Sequence, residues 1–227
     1  MDVDVAGNLK KVLADLPEGV RLVAISKFHP KEYIEAAYNA GQRVFGESHE
    51  QEIKEKVEQL PKDIEWHFIG HLQTNKVKQV VGKVDLIQSV DSERLLRAID
   101  AEAARQGIRQ DISLEVNIGN EESKSGFRVE EVLPILEKIG EFSNVCMKGL
   151  MAIPPISRFP GENLQYFQKM FQLSVDIREK INDNVPVDCL SMGMSDDYQD
   201  AITCGSTMIR VGTAIFGARD YTKLSSN

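Results

Sequence analysis

The sequence predicts an α/β protein, a single (β/α)8 TIM barrel spanning residues 1–227 as one domain. Three observations point there. Short aliphatic, β-branched runs alternate with segments of helical period along the whole chain, the pattern of βαβ units and a parallel sheet. Eight such pairs fit within 227 residues, and no Pro/Gly/Ser-rich linker divides them. No G-x-G-x-x-G follows the first run, where an open dinucleotide-binding sheet would carry it.

The first strand-like run is 20–27 (VRLVAISK), broken by Phe28, His29 and Pro30. Pro30 opens a helix through Ile34, Ala37 and Tyr38, and Gly41 ends it, the expected punctuation. The run 43–46 precedes a helix over 50–60, and 64–69 precedes a helix over 76–81. After 84–88, Asp91 is expected to cap a helix with the apolar face Leu95, Leu96, Ile99 and Ala103. The run 112–118 leads to a helix over 129–139. The sixth run, 145–153, leads past Pro160 to a long helix with apolar positions Leu164, Phe167, Phe171 and Val175, read as core. Residues 187–190 and 207–211 complete the eight, with a short helix over 196–204 between them. Leu9, Val12, Leu13 and Leu16 suggest an extra helix beneath the barrel.

Composition narrows the partners. The 27 basic and 35 acidic residues give a net charge of −8, which argues against nucleic acid and anionic membranes. No apolar run is long enough to span a bilayer, and without a basic amino-terminal region, apolar core and cleavage site no signal peptide is expected. Cys146, Cys189 and Cys204 form no C-x-x-C pair and read as buried free thiols in a reducing, cytoplasmic compartment.

A barrel of this kind carries its chemistry at the carboxyl ends of its strands. The polar residues there are Lys27, Glu47, Ser48, Gly70, His71, Asn117, Ser191, Ser195, Gly212 and Thr213. Lys27 ends a buried strand, where desolvation would make its amine nucleophilic. Ser195 precedes a short helix after strand seven, and Gly212 and Thr213 follow strand eight, an arrangement suited to a phosphate. A phosphate cup diagonally across the mouth from a strand-end lysine suggests pyridoxal 5'-phosphate, whose aldehyde takes a lysine as a Schiff base. Arg210 shares a strand face with Gly212 and could donate to the pyridine nitrogen. A buried ion pair across the barrel is the other reading of Arg210. His67 and His71, four apart, straddle a strand end, so no metal site is expected.

These residues sit in motifs that resemble the YggS-like pyridoxal phosphate homeostasis proteins, barrels similar to the amino-terminal domain of alanine racemase. The motifs are residues 24–30 (AISKFHP), 44–47 (VFGE) with Gln51 and Glu52, and 66–76 (WHFIGHLQTNK). They continue with 115–118 (EVNI), 124–127 (KSGF), 148–151 (KGLM), 190–196 (LSMGMSD) and 210–217 (RVGTAIFG). Ser48 stands where that family usually has asparagine. The resemblance implies that Lys27 carries the cofactor, that Ser195, Gly212 and Thr213 hold its phosphate, and that Arg210 faces its ring. Met192 and His67 are expected to line the pocket.

The resemblance implies a cofactor-homeostasis role, with transient contact to enzymes that make or use pyridoxal phosphate. The alternative is a weak amino-acid racemase. Against it, only Asp220, Tyr221 and a polar tail follow strand eight, so no second domain is expected to supply a second base, and no catalytic residue is assigned.

Overall fold

Strands of a parallel sheet are covered on both faces, and most residues in the strands of this chain are buried. The computed structural model describes residues 3–180 and 187–218. Its strands are β1 Arg21–Ile25, β2 Val44–Glu47, β3 Glu65–Phe68, β4 Leu86–Val90, β5 Gln110–Val116, β6 Val145–Ala152, β7 Cys189–Ser191 and β8 Met208–Val211. They close in sequence order into one barrel, every pair parallel, with β8 returning to β1 in the register Val23 to Arg210 and Ala24 to Val211. The (β/α)8 barrel expected from the sequence is what forms.

The helices are α1 Val5–Ala14, α2 Lys31–Asn39, α3 Glu50–Gln59, α4 Glu93–Gln106, α5 Val129–Glu137, α6 Leu164–Lys180, α7 Tyr198–Thr203 and α8 Thr213–Phe216. Four details depart from the sequence reading. Ser92, not Asp91, caps α4: its hydroxyl accepts from the Leu95 amide at 3.3 Å, while Asp91 is drawn to His71 at 3.0 Å. The segment after β3 is a tight 3-10 helix, Thr74–Gln79, rather than an α-helix. In α6 the buried stripe is Phe167, Met170, Leu173, Ser174 and Ile177, which turns Phe171 out to 41% exposure. The cysteines are free but only half-buried.

The fifth departure concerns α1, which packs along α2 and α8 on the flank of the barrel instead of under it. The amino-terminal mouth is therefore open. A cavity of about 400 Å³ lies there, lined by Arg21, Glu65, Asp85, Asp111, Lys148 and Cys189 among others.

Two cores result from strand alternation. Leu22, Ala24, Phe45, Trp66, Phe68, Ile87, Ile112, Leu114 and Leu190 face outward into one continuous cluster with the helices. Val23, Ile25, Leu86 and Met208 face inward and form a much smaller cluster of their own. Gly46 makes room for it: a Cβ there would lie 2.6 Å from Ile25 Cδ1. The rest of the interior is polar, with His67, Gln88, Ser113, Ser191 and Arg210 all buried. Barrel interiors are usually filled by bulky aliphatic residues, so this polar filling is the feature that sets up a site.

Phe45 is fully buried, its ring centroid 5.9 Å from that of Trp66. Phe45→Ala should cost about 3–5 kcal/mol in urea unfolding. Phe171→Ala, on the exposed side of α6, should stay within about 0.5 kcal/mol of the parent. Equal losses would contradict the helix orientation.

Candidate functional site

Lys27 stands two residues beyond β1, and the backbone on both sides of it is tied down. Ser26 Oγ donates to Glu47 Oε1 at 2.6 Å. Lys56 Nζ, from α3, donates to that same oxygen at 2.7 Å, to the Ser26 carbonyl at 3.0 Å and to Glu52 Oε1 at 2.8 Å. Glu52 Oε1 in turn accepts from the Phe28 amide at 2.9 Å. Phe28 has φ of 65°, a left-handed conformation that a non-glycine residue holds only when its surroundings impose it. The cluster supplies that imposition. Burial pushes the Glu47 carboxyl up, and the Lys56 ammonium opposes it.

Lys27 and the expected anion cup are neighbours rather than diagonal partners, because β1 pairs directly with β8. Ser195 does not cap α7; that helix starts at Tyr198 behind Asp197. Asp197 instead accepts from the Met194 amide at 2.7 Å and from Asn163 Nδ2 at 2.8 Å, which braces the loop after β7. Ser195 Oγ is thereby left to face the start of α8, where it accepts from the amides of Gly212 and Ala214, both at 3.4 Å. Hydroxyl and backbone N–H groups thus converge at one spot on the rim. Thr213, the first residue of α8, is exposed beside it.

Arg210 lies below, 3% exposed. Its Nη1 donates to Ser191 Oγ at 2.6 Å and its Nη2 to the Ala152 carbonyl at 2.9 Å. Among the described residues no carboxylate pairs with it, so the ion pair across the barrel does not form. Burial lowers its pKa to about 10, against the attraction of Glu115 and Asp197. Glu115, on the inward face of β5, is pushed up to about 7 by burial and by Asp91, with Arg210 pulling the other way.

The remaining expected residues separate. His67 is wholly buried in the interior, its two ring nitrogens 2.9 Å from Glu65 and 2.8 Å from Gln88. His71 turns outward to Asp91 and Ser125. Met192 is fully buried and belongs to the outer core cluster, so its side chain is not open to the mouth. Asn117 organises its own loop, bonding the backbone of Glu121 and Lys124. The Ser48 hydroxyl is buried without a hydrogen-bond partner and is not presented to the mouth. Cys189, at the opposite end of the barrel, has its thiol raised to about 11 by burial.

Residues 4–220 match the family model described as alanine racemase, N-terminal domain. The pyridoxal phosphate homeostasis protein of Pasteurella multocida (strain Pm70) is 41% identical over 214 residues, covering 92% of this chain and 91% of its own. The chain belongs to the pyridoxal phosphate homeostasis protein family. PipY of Synechococcus elongatus PCC7942, solved without PLP, superposes with a TM-score of 0.90 at 34% identity, covering 94% of this chain and 100% of that one. The same protein with PLP bound gives 0.86 at 33% identity, with the same coverage. Alanine racemase of Streptomyces coelicolor A3(2), 14% identical with a TM-score of 0.76, shares the fold across 94% of this chain and 58% of its own.

Within this family barrel, the groups that sequence reasoning did not assign are Lys56, Glu52, Gln88 and Glu115. Lys56 and Glu52 lie on a helix whose polar residues look solvated in one dimension. Gln88 carried a signal: an amide inside a buried aliphatic strand needs partners. Glu115 carried a similar one, a carboxylate between Leu114 and Val116.

The Glu115 shift has a pH consequence. A carboxyl with a higher pKa folded than unfolded binds its proton more tightly when folded, so stability falls as pH rises from the unfolded value, about 4.3, toward 7. In urea unfolding, Glu115→Gln should therefore gain on the parent between about pH 5 and pH 8. A constant difference across that range would show that Glu115 titrates normally.

Proposed function

We propose that this protein binds pyridoxal phosphate at the carboxyl-terminal mouth of its barrel and holds it in reserve, a role in cofactor homeostasis. Lys27 forms the Schiff base, Ser195, Gly212 and Thr213 hold the phosphate, and Arg210 faces the pyridine nitrogen. The supporting observation is the adjacency of three unlike groups on β1, β8 and the loop after β7. These are a lysine on a clamped backbone, a cradle of N–H and hydroxyl groups at Ser195, Gly212 and Ala214, and a buried guanidinium without a carboxylate among the described residues. The residues present fit the group, which needs an amine, an anion cup and a partner for its ring nitrogen. The PLP-bound structure of PipY and the name of the P. multocida relative support the same reading.

Bound pyridoxal phosphate supplies an aldehyde for amines and a ring that withdraws electrons. The residues here suit storage better than turnover. Arg210 donates and cannot accept, so it disfavours protonation of the ring nitrogen and weakens electron withdrawal. The Glu47, Lys56 and Glu52 cluster fixes where Lys27 leaves β1. Met192 shapes the cup from beneath, and His67 acts on it through other residues. The chain works in this reading as one cytoplasmic domain that passes its cofactor to dependent enzymes in transient contacts. No described helix is long and apolar enough to cross a membrane.

The purified protein loaded with pyridoxal phosphate should absorb visible light, and Lys27→Ala should abolish that band. Borohydride reduction and peptide mapping must place the pyridoxyl group on Lys27; any other lysine overturns the assignment.

Ser195→Ala and Thr213→Ala should each weaken cofactor retention. One hydrogen bond to a charged group is worth about 1.5–3 kcal/mol, roughly tenfold to a hundredfold in affinity. Unchanged affinity in both single variants and the double variant would reject the cup.

A further inference from the structure

Between the two mouths of the barrel, an unbroken line of hydrogen bonds passes through its interior. Arg210 Nη1 donates to Ser191 Oγ at 2.6 Å, and Ser191 Oγ meets Gln88 Oε1 at 2.6 Å. Gln88 Nε2 lies 2.8 Å from His67 Nδ1, and His67 Nε2 lies 2.9 Å from Glu65 Oε1. Glu65 Oε2 accepts from Arg21 Nη2 at 2.7 Å, at the rim of the open amino-terminal cavity. His67, Gln88 and Ser191 are all 0% exposed, so bulk solvent does not reach them.

The polarity of this line follows from its upper end. A guanidinium only donates, so Ser191 Oγ must accept from Arg210 and send its own proton elsewhere. Its partner is Gln88, which therefore turns its carbonyl oxygen to Ser191 and its amide nitrogen to His67. His67 Nδ1 must then accept, and the ring proton belongs on Nε2, donated to Glu65. Each assignment forces the next. Flipping the Gln88 amide would leave the Ser191 proton without its acceptor and turn an oxygen towards His67 Nδ1, a costly arrangement in a dry interior. Glu65 at the lower end is well suited to receive: hydrogen bonding from His67 and then from Arg21 holds its carboxyl down at about 2, against desolvation.

We propose that Ser191, Gln88 and His67 are positioning residues, a one-way relay that fixes the Arg210 guanidinium and anchors it to the Arg21–Glu65 ion pair at the far mouth. Their bearing on the cofactor rests on the reading that Arg210 faces the pyridine ring. Without the relay, the Arg210 guanidinium keeps only the Ala152 carbonyl among its described partners and is free to turn away from the position in which it would face the cofactor.

Nitrogen NMR of the uniformly labelled, cofactor-free protein tests the relay by itself. The His67 signals, identified by their loss in His67→Asn, should show a neutral ring protonated at Nε2. An Nδ1-protonated or doubly protonated ring near neutral pH overturns the proposal, and that measurement is made on the native chain. Ser191→Ala should release the tautomer into a mixture and Ser191→Thr should restore it; a tautomer indifferent to both also overturns the relay. Titration with pyridoxal phosphate then separates the two ideas. Ser191→Ala should weaken affinity about tenfold, as for loss of a hydrogen bond to a charged group, and Ser191→Thr should recover it. If the tautomer behaves as stated but neither Ser191→Ala nor Arg210→Gln changes affinity, the relay stands and the placement of Arg210 against the ring is what fails.

Discussion

A guanidinium enclosed in a barrel loses its hydration and can accept nothing in return, so its neighbours must be acceptors held at the right distance. Arg210 imposes that condition on the whole interior. It explains why Ser191 stands where a barrel would ordinarily carry valine or leucine, why Gln88 interrupts an aliphatic strand, and why His67 is buried with both nitrogens engaged. A half-satisfied buried network is worse than an apolar one. The inward apolar cluster is correspondingly small, and stability comes from the outer core between strands and helices.

The other half of the site is held differently. Lys27 lies two residues beyond the end of β1, and the backbone on either side of it is held by a cluster of two carboxylates and an ammonium drawn from β2 and α3. That cluster grips the Ser26 carbonyl and the Phe28 amide and so sustains the unusual backbone at Phe28. Arg210 is set by a line of hydrogen-bonded side chains through the barrel interior, Lys27 by charges on its flank. The two devices share no residue. A perturbation of either one should leave the other geometry in place, and their meeting at one mouth is a consequence of β8 closing on β1.

Strand order, barrel closure and the rim residues were legible because they rest on local rules. Alternation of apolar runs with helical periods gives βαβ units, and the carboxyl ends of those strands mark the mouth. Lys27, Ser195, Arg210 and Gly212 all emerge on those ends. What misled was local as well: Asp91 resembled a helix cap, but it is drawn to His71 and Ser92 caps the helix, and Phe171 resembled core, but the phase of α6 turns it outward. Met192 resembled a pocket residue, but strand parity carries it with Leu190 into the outer core.

The sequence by itself determined the alternation and order of strands and helices, and that a lysine and an arginine lie near the ends of β1 and β8. Periodicity is a property of neighbours in the chain, and those neighbours are enough to decide it. Only the tertiary structure decided the rest. Closing the barrel brings Arg21, Glu65, His67, Gln88, Ser191 and Arg210, from five separate strands, into one line, and it sets Lys56 under the Lys27 turn. Hydrogen-bond direction depends on who stands opposite whom, and that is settled by packing across the barrel and not by order along the chain.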